Sequence, residues 1–378
     1  MTDLAIFLMD LGGGGAERVM LNLARGFSEK GLAVDLVLVQ TEGVYLTQLP
    51  PQIRVVEFKK SRLMASIPDL VRYLRQTQPT VLMSALEDTN FVALWAKKLA
   101  GVATQVIVTV HNHLSNEAKY ATQLKRQLTP HLVKLFYPWA DNVVAVSQGV
   151  ADDLLDLGLP AHKINVVYNP IVTSELAEKA QEPVAHPWFL NEQPPVILGI
   201  GRLTKQKNFS MLIRAFGQVR EHYPVRLAIL GEGEEQAELK ALVNQLNLSE
   251  HVAFLGFVDN PYAYLARAAV LVLSSLWEGF GNVIVEAIAV GTPVVSTNCR
   301  SGPAEILNHG EYGSLVSVEN IKEMADAIVA TIQSVPDQAM LKQRSQEFTL
   351  EKAVERYEAL LETVNEPSFA LRRQVQRS

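Results

Sequence analysis

Two carboxylates frame a turn in the segment Glu278-Gly-Phe-Gly-Asn-Val-Ile-Val-Glu286. Residues 269–273 upstream read as a buried strand, and 283–290 downstream read as a helix closed by Gly291-Thr-Pro293. Gly279 and Gly281 disfavour one continuous helix from Glu278, so the order is strand, loop, helix. Glu278 then lies beyond a strand's C-terminal end, with Glu286 about a turn inside the next helix, on the rim of the same crevice. Backbone N–H groups of Phe280, Gly281, Asn282 and Val283 stand unpaired at that helix start. Acceptors for hydroxyls beside a fan of donors suit a polyhydroxylated ligand. An acid in a loop and another early in a helix are also ordinary, the second favoured by the helix dipole.

Three further clusters bear on that choice. Gly199-Ile-Gly201-Arg202-Leu203 follows a candidate strand, with Lys205, Lys207 and Asn208 next. Glycine lets a ligand approach the backbone there. Arg202 offers a fork of donors and Lys207 a mobile point charge, a pair able to anchor a diphosphate; the same residues also suit a solvated basic turn before a helix. Gly12-Gly-Gly-Gly15-Ala16-Glu17-Arg18 opens the first helix, where an anion is favoured. The dinucleotide pattern G-x-G-x-x-G fails because Glu17 stands at the third glycine, and Asp35 lies near the start of the next strand, not its end. The Walker lysine pattern is absent as well. Thr109-Val110-His111-Asn112-His113 ends a strand and aims His111 at the crevice, although a lone histidine is commonly structural. A zinc site built from His111, His113 and a carboxylate lacks a supporting helical histidine pair. With no Asp-x-Asp, a divalent ion clamping a diphosphate has no evident ligand set.

The elements that position these residues alternate twice over. Strands at 4–8, 34–39, 55–58, 80–83, 105–109, 142–146 and 164–167 interleave with helical patterns at 16–29, 69–76, 91–100 and 148–155. A second series has strands at 196–200, 226–230, 252–255, 270–273, 293–297 and 314–316, with helices at 209–221, 234–246 and 286–290. Short apolar strands with amphipathic crossovers predict parallel sheets covered by helices on both faces. The expected fold class is α/β, two Rossmann-like doubly wound parallel-sheet domains facing a central cleft. Residues 1–170 form the first domain, 171–194 a proline-rich linker, 195–350 the second domain, and 351–378 a terminal helix with a frayed tail around Arg372-Arg373.

A chain of 378 residues is long for one domain and comfortable for two. No apolar run approaches the roughly eighteen residues a membrane span needs. Residues 1–11 carry a short apolar run flanked by Asp3 and Asp10 without a basic segment, a first strand and not a signal peptide. The single cysteine, Cys299, excludes an internal disulfide and a cysteine-rich metal site and suits a cytoplasmic setting. Lys and Arg total 16 against 15 acids in residues 1–170, and 18 against 25 in 171–378, so an anion held by the second half needs a few well-placed cations. Nucleic acid is disfavoured as a partner. Residues 116–141 interleave Lys119, Lys125, Arg126 and Lys134 with Tyr120, Leu124, Leu128, Leu135 and Trp139. That mix suits either peripheral contact with an anionic membrane or, the slightly favoured arrangement, a core helix with snorkelling lysines.

Gly-Gly-Ala-Glu-Arg early, Gly-Arg-Leu…Lys-Asn at mid-chain and Glu-Gly-Phe-Gly-Asn…Glu-Ala later resemble the family 4 retaining glycosyltransferases, over essentially the whole chain and in the same order. The resemblance implies the GT-B architecture, with an acceptor-binding first domain, a nucleotide-sugar-binding second domain and a last helix crossing back to the first. It implies that Arg202 and Lys207, with Gly201, meet the diphosphate, that Glu286 holds the ribose hydroxyls, and that Glu278 with the amides of Gly279, Phe280, Gly281, Asn282 and Val283 holds the donor sugar. His111 would stand beside the transferred sugar, Gly14 and Gly15 on the inter-domain face, and Gly231, Phe257 and Val258 around the nucleobase and ribose. Asn169-Pro170-Ile171 departs from the Asn-Gly-Val-Asp of many relatives. The implied activity is metal-independent transfer, with retention, from a nucleoside-diphosphate sugar, UDP-linked by family habit, to a hydroxyl acceptor in glycan, polysaccharide or glycolipid assembly. No cofactor is expected. A nucleotide-sugar epimerase and a non-catalytic sugar-nucleotide-binding protein are the alternatives. A glycosidase pair at Glu278 and Glu286 would leave the cations without a role.

Overall fold

The computed structural model describes residues 2–190, 193–334 and 336–364. Seven apolar runs become strands β1 Leu4–Leu8, β2 Val34–Leu38, β3 Arg54–Glu57, β4 Val81–Ala85, β5 Gln105–Val110, β6 Asn142–Ala145 and β7 Ile164–Val166. They form one parallel sheet in the order β3-β2-β1-β4-β5-β6-β7. Six more, β8 Val196–Ile200, β9 Arg226–Leu230, β10 Val252–Gly256, β11 Val270–Leu273, β12 Val294–Thr297 and β13 Ser314–Val316, form a second parallel sheet in the order β10-β9-β8-β11-β12-β13. β1, β2, β4 and β11 are buried at every position, as strands covered on both faces must be. Each fully buried Leu or Val there contributes roughly 1.5–3 kcal/mol.

The strand orders locate the crevices. In the first sheet the chain steps from β1 out to β2 and β3, then returns to the other side of β1 as β4. In the second it steps from β8 to β9 and β10 and returns beside β8 as β11. Each reversal is a topological switch point, where loops beyond the strand C-termini part and leave room for a ligand. The loops after β1 and β4 flank the first switch; those after β8 and β11 flank the second.

Asp35 in β2 is committed to structure. Burial alone would raise its carboxyl, but bonds from Arg54 (2.8 Å from Nε), Tyr73 (2.5 Å) and Thr2 (3.0 Å) outweigh burial and hold it below its ordinary value. The helix Leu350–Val364 packs on the first helix, Gly15–Glu29, with the Phe27 and Tyr357 rings 6.2 Å apart and Lys30 3.3 Å from Glu358.

Some elements differ from expectation. The stretch read as a linker contains a helix, Ser174–Gln181, and a 3-10 turn, Pro187–Phe189. The stretch 116–141 divides into helices Leu114–Tyr120 and Leu124–Phe136. The second is not a core helix: only Pro130 and Val133 are buried, because the sheet below is already covered by Glu87–Ala100. The tail with Arg372-Arg373 lies outside the described residues. No helix among the described residues is long and apolar enough to cross a membrane.

Candidate active site

The loops after β8 and β11 are tied together before any ligand is considered. Leu276 N–H donates to the Gln206 carbonyl (2.8 Å), Gln206 Nε2 to the Trp277 carbonyl (3.0 Å), and Ser274 Oγ to the Lys207 carbonyl (2.8 Å). Across this frame Lys207 Nζ sits 2.5 Å from Glu278 Oε1, which also accepts from Ser275 Oγ at 2.6 Å. Glu278 is buried and Lys207 half-buried, so their charges meet in a poorly screened place. Arg202 is exposed at the mouth, and its charge reaches Glu17 of the first domain's glycine loop. Burial raises the Glu17 carboxyl despite Arg202.

The helix after Glu278 runs Asn282–Val290 and starts from Gly281 at φ 100°, a left-handed conformation suited to glycine. Among the described residues, no protein acceptor takes the amides of Phe280, Gly281, Asn282 and Val283. Their side chains are engaged within the protein. Phe280 turns into the core, stacked on Tyr168 at 5.5 Å and edge-on to Phe348, and Val283 is buried. Asn282 bridges the domains: its Oδ1 accepts from Asn169 Nδ2 at 2.8 Å, and its Nδ2 faces the Gly15 carbonyl at 3.5 Å. At 280, 282 and 283 the side chains are engaged within the protein while the backbone N–H groups are not.

Glu286 is buried, and burial pushes its carboxyl above the ordinary range. The charge that opposes this shift is Arg18, from the first helix of the other domain. Arg18 donates to Tyr262 OH at 2.7 Å and Tyr45 OH at 3.1 Å. Gly231, beyond β9, has φ 127°, and a Cβ there would lie 2.0 Å from the Gly201 carbonyl oxygen; both glycines are set by this backbone packing. Phe257 is exposed and lies against Gly13 across the cleft, while Val258 is partly buried.

From the first domain, His111 follows β5 with Nε2 2.9 Å from Thr109 Oγ1. Burial lowers its imidazole to about 4, so near neutral pH it is uncharged. Its carbonyl abuts Gly279, where a Cβ would come within 2.0 Å of the oxygen. The Gly279 carbonyl accepts from Ser147 Oγ at 2.6 Å, so the two domains touch at the glycine beside Glu278. Gly15 lines the same interface, where a Cβ would come 3.1 Å from Asn282 Nδ2, whereas at Gly14 a Cβ would come 2.3 Å from the Glu17 carboxylate of its own domain. His113 is structural, its Nδ1 capping Leu114–Tyr120 through Asn116 N–H (3.4 Å) and lying 3.3 Å from Asp153. No group of three His, Cys, Asp or Glu side chains among the described residues is placed to hold a metal ion.

Four contributors escaped the sequence reading. Arg18, in the first turn of a helix whose dipole disfavours a cation, carried a signal of a long-range partner. Asn169 meets Asn282 from 113 positions away. Tyr120 and Trp277 stack across the cleft with centroids 4.9 Å apart and planes at 2°, which no spacing foretells.

The sequence matches the family described as Glycosyltransferase Family 4 over residues 13–175, and Glycosyl transferases group 1 over 181–348. The N-acetylgalactosamine-N,N'-diacetylbacillosaminyl-diphospho-undecaprenol 4-alpha-N-acetylgalactosaminyltransferase of Campylobacter jejuni is 33% identical over 337 residues, 86% of this chain and 88% of that one. The lipopolysaccharide core biosynthesis glycosyltransferase LpsE of Rhizobium meliloti is 28% identical over 92% of this chain and 96% of its own. Among solved structures, Anabaena HepE in complex with UDP-glucose aligns with a TM-score of 0.79 over 95% of this chain and 99% of that one, at 22% identity. Sucrose-phosphate synthase from Thermosynechococcus elongatus aligns at 0.72 over 100% of both chains, at 19% identity. The shared fold is GT-B, two parallel-sheet domains about one cleft.

Proposed function

This chain belongs to glycosyltransferase family 4, and from that premise we propose that it moves a sugar from a UDP-linked donor to a hydroxyl of a glycan or lipid-linked acceptor, with retention and without a metal ion. The observation that carries the reading is the convergence at the second switch point. Arg202 and Lys207 leave β8, Glu278 leaves β11, and unpaired amides follow. Two cations suit the charge that grows on a departing diphosphate, and the fixed amides add to that stabilisation. Glu278 and Glu286 suit sugar and ribose hydroxyls. The UDP ligand of the Anabaena neighbour and the undecaprenol-linked acceptor in the Campylobacter relative's name agree with the donor and acceptor proposed.

The test is calorimetric titration with UDP, GDP and ADP, first with chelator and then with magnesium. Tight UDP binding that magnesium leaves unchanged is the expected result. Binding of none of the three removes the donor site, and a magnesium requirement removes the metal-free reading.

The Glu286 carboxyl gives this site a pH signature. A ribose hydroxyl donates best to the ionised form, so UDP affinity falls as pH drops through the raised Glu286 value. Arg18→Met removes the charge that opposes the shift, and the fall then begins at higher pH. Calorimetric UDP affinity across a pH series, wild type against variant, checks this, since the ligand's own phosphate titration is common to both. Superimposable profiles would count against the pairing.

A second proposed partner is an anionic membrane surface. Leu124, Leu128 and Leu135 share one face of Leu124–Phe136 and are 69%, 46% and 60% exposed, and the exposed Trp95 packs on Phe136 at the end of that helix. Lys134 borders that face, and Lys125 does too, though paired with Asp88. Leucines flanked by cations suit an anionic bilayer surface. The chain is expected to float with anionic liposomes at low salt and to be released at high salt. Leu124→Glu/Leu128→Glu abolishes flotation if the face is right, and absence of flotation at low salt ends the idea.

A further inference from the structure

The first sheet's switch point also carries an acid, and nothing in the donor reading uses it. The chain leaves β4 through Leu86 at φ 72°, a strained conformation for so large a side chain. It enters the helix Glu87–Ala100 directly at Glu87. Glu87 stands to β4 as Glu278 stands to β11, beyond the strand that returns across the switch. The two carboxylates are treated differently. Glu278 has Lys207 and Ser275, whereas Glu87 is 7% exposed and its Oε1 accepts no hydrogen bond. Buried polar atoms without partners are rare, and each needs a reason.

The backbone N–H of Glu87 bonds its own carboxyl, and no surrounding side chain supplies a partner for Oε1. Glu117 approaches from Leu114–Tyr120, Arg126 from Leu124–Phe136, Asp88 from Glu87's own helix, and Tyr137 from the turn after Phe136. Arg126 is bound to Glu117 at 2.5 Å, and the other Glu117 oxygen accepts from Asn112 Nδ2 at 2.8 Å. Burial first, then Glu117, push the Glu87 carboxyl up to about 7.

Beside Glu87 a chain of hydrogen bonds runs from the end of β4 to the cleft. Ser84 Oγ donates to Asn90 Oδ1 (2.7 Å), Asn90 Nδ2 to the Thr109 carbonyl (3.0 Å), and Thr109 Oγ1 lies 2.9 Å from His111 Nε2. His111 in turn abuts Gly279 beside Glu278. We propose that Glu87 is an acceptor-binding residue, whose free carboxylate oxygen takes a hydrogen bond from a hydroxyl of a glycosyl acceptor seated at the first domain's switch point. The proposal rests on the transferase reading of the cleft.

Octyl glycosides (glucoside, galactoside and N-acetylgalactosaminide, below micelle-forming concentration) serve as probes for the UDP-saturated full chain, titrated calorimetrically. At least one is expected to bind the wild type and to lose about tenfold or more in affinity in Glu87→Gln, the loss of a hydrogen bond to a charged group. UDP affinity, measured first, stays unchanged in the variant. Wild-type glycoside affinity is expected to rise with pH through about 7, and the variant's is not. A carboxyl raised on folding costs stability as pH climbs through its folded value. Glu87→Gln therefore melts higher than wild type above about 7, by a margin that shrinks as pH falls and vanishes only below the ordinary carboxylate range, the mark of a residue kept for binding. A purely structural Glu87 gives a lower melting point in the variant with glycoside binding intact. That outcome, equal glycoside affinities, or no glycoside bound by the UDP-loaded wild type each overturns the proposal. A wild type that fails to bind UDP strikes the donor site instead, and that is known before any glycoside is added.

Discussion

Lys207→Ala is expected to lower donor turnover, read as released UDP, by about 10²–10³-fold, because it removes a positioned cation where leaving-group charge grows. It carries a second cost. Lys207 Nζ lies 2.5 Å from the buried Glu278 carboxylate, so the truncation strands that charge with only the Ser275 hydroxyl for company. Breaking a buried pair from one side costs on the order of 3–5 kcal/mol, and urea denaturation is expected to show a loss of that order. The double variant Lys207→Met/Glu278→Gln separates the two effects. Removing both charges and keeping their bulk is expected to restore most of the stability while turnover stays near the single variant's level. If turnover recovers with stability, Lys207 served only to hold the loop.

The grouping of the candidate residues at the second switch point was legible because their relations are local. A strand, a glycine-interrupted turn and a helix start put Glu278, the free amides and Glu286 in order without knowledge of any distant contact, and the same holds for Gly201, Arg202 and Lys207. The two parallel sheets were legible for a similar reason, since strands buried on both faces leave continuous apolar runs such as Leu4-Ala-Ile-Phe-Leu8. What the sequence hid was tertiary. Phe280 belongs to the motif but packs on Tyr168 and Phe348, 112 and 68 positions away along the chain. Arg18 acts opposite Glu286 only because the domains face each other. The helix Leu124–Phe136 has a periodicity that fits a core or a surface equally well, and its exposure follows from Glu87–Ala100 covering the sheet beneath it. Ser174–Gln181 buries only Leu176, too little apolar signal to stand out from the prolines around it.

The contact at Gly279 leads to the other large effect. Gly279 is not held in a left-handed conformation, so alanine meets no backbone strain there. What excludes it is the other domain: a Cβ would come 2.0 Å from the His111 carbonyl oxygen and 2.5 Å from its carbon. Both atoms are main chain at the end of β5, and they are unable to swing aside as a side chain would. The added methyl must hold the domains apart or displace the loop that carries Glu278. Arg202, Lys207 and the free amides all belong to the second domain, so UDP affinity in Gly279→Ala is expected to stay within a few-fold of wild type. Reaction needs the two halves in register, and a misplacement of about 1 Å costs on the order of 10²-fold. Turnover should therefore collapse while calorimetric UDP binding persists, and small-angle scattering should show a more open UDP-bound molecule than wild type. Turnover near the wild-type rate would mean that reaction does not require the His111–Gly279 contact, and that closure in catalysis brings the domains together along another line.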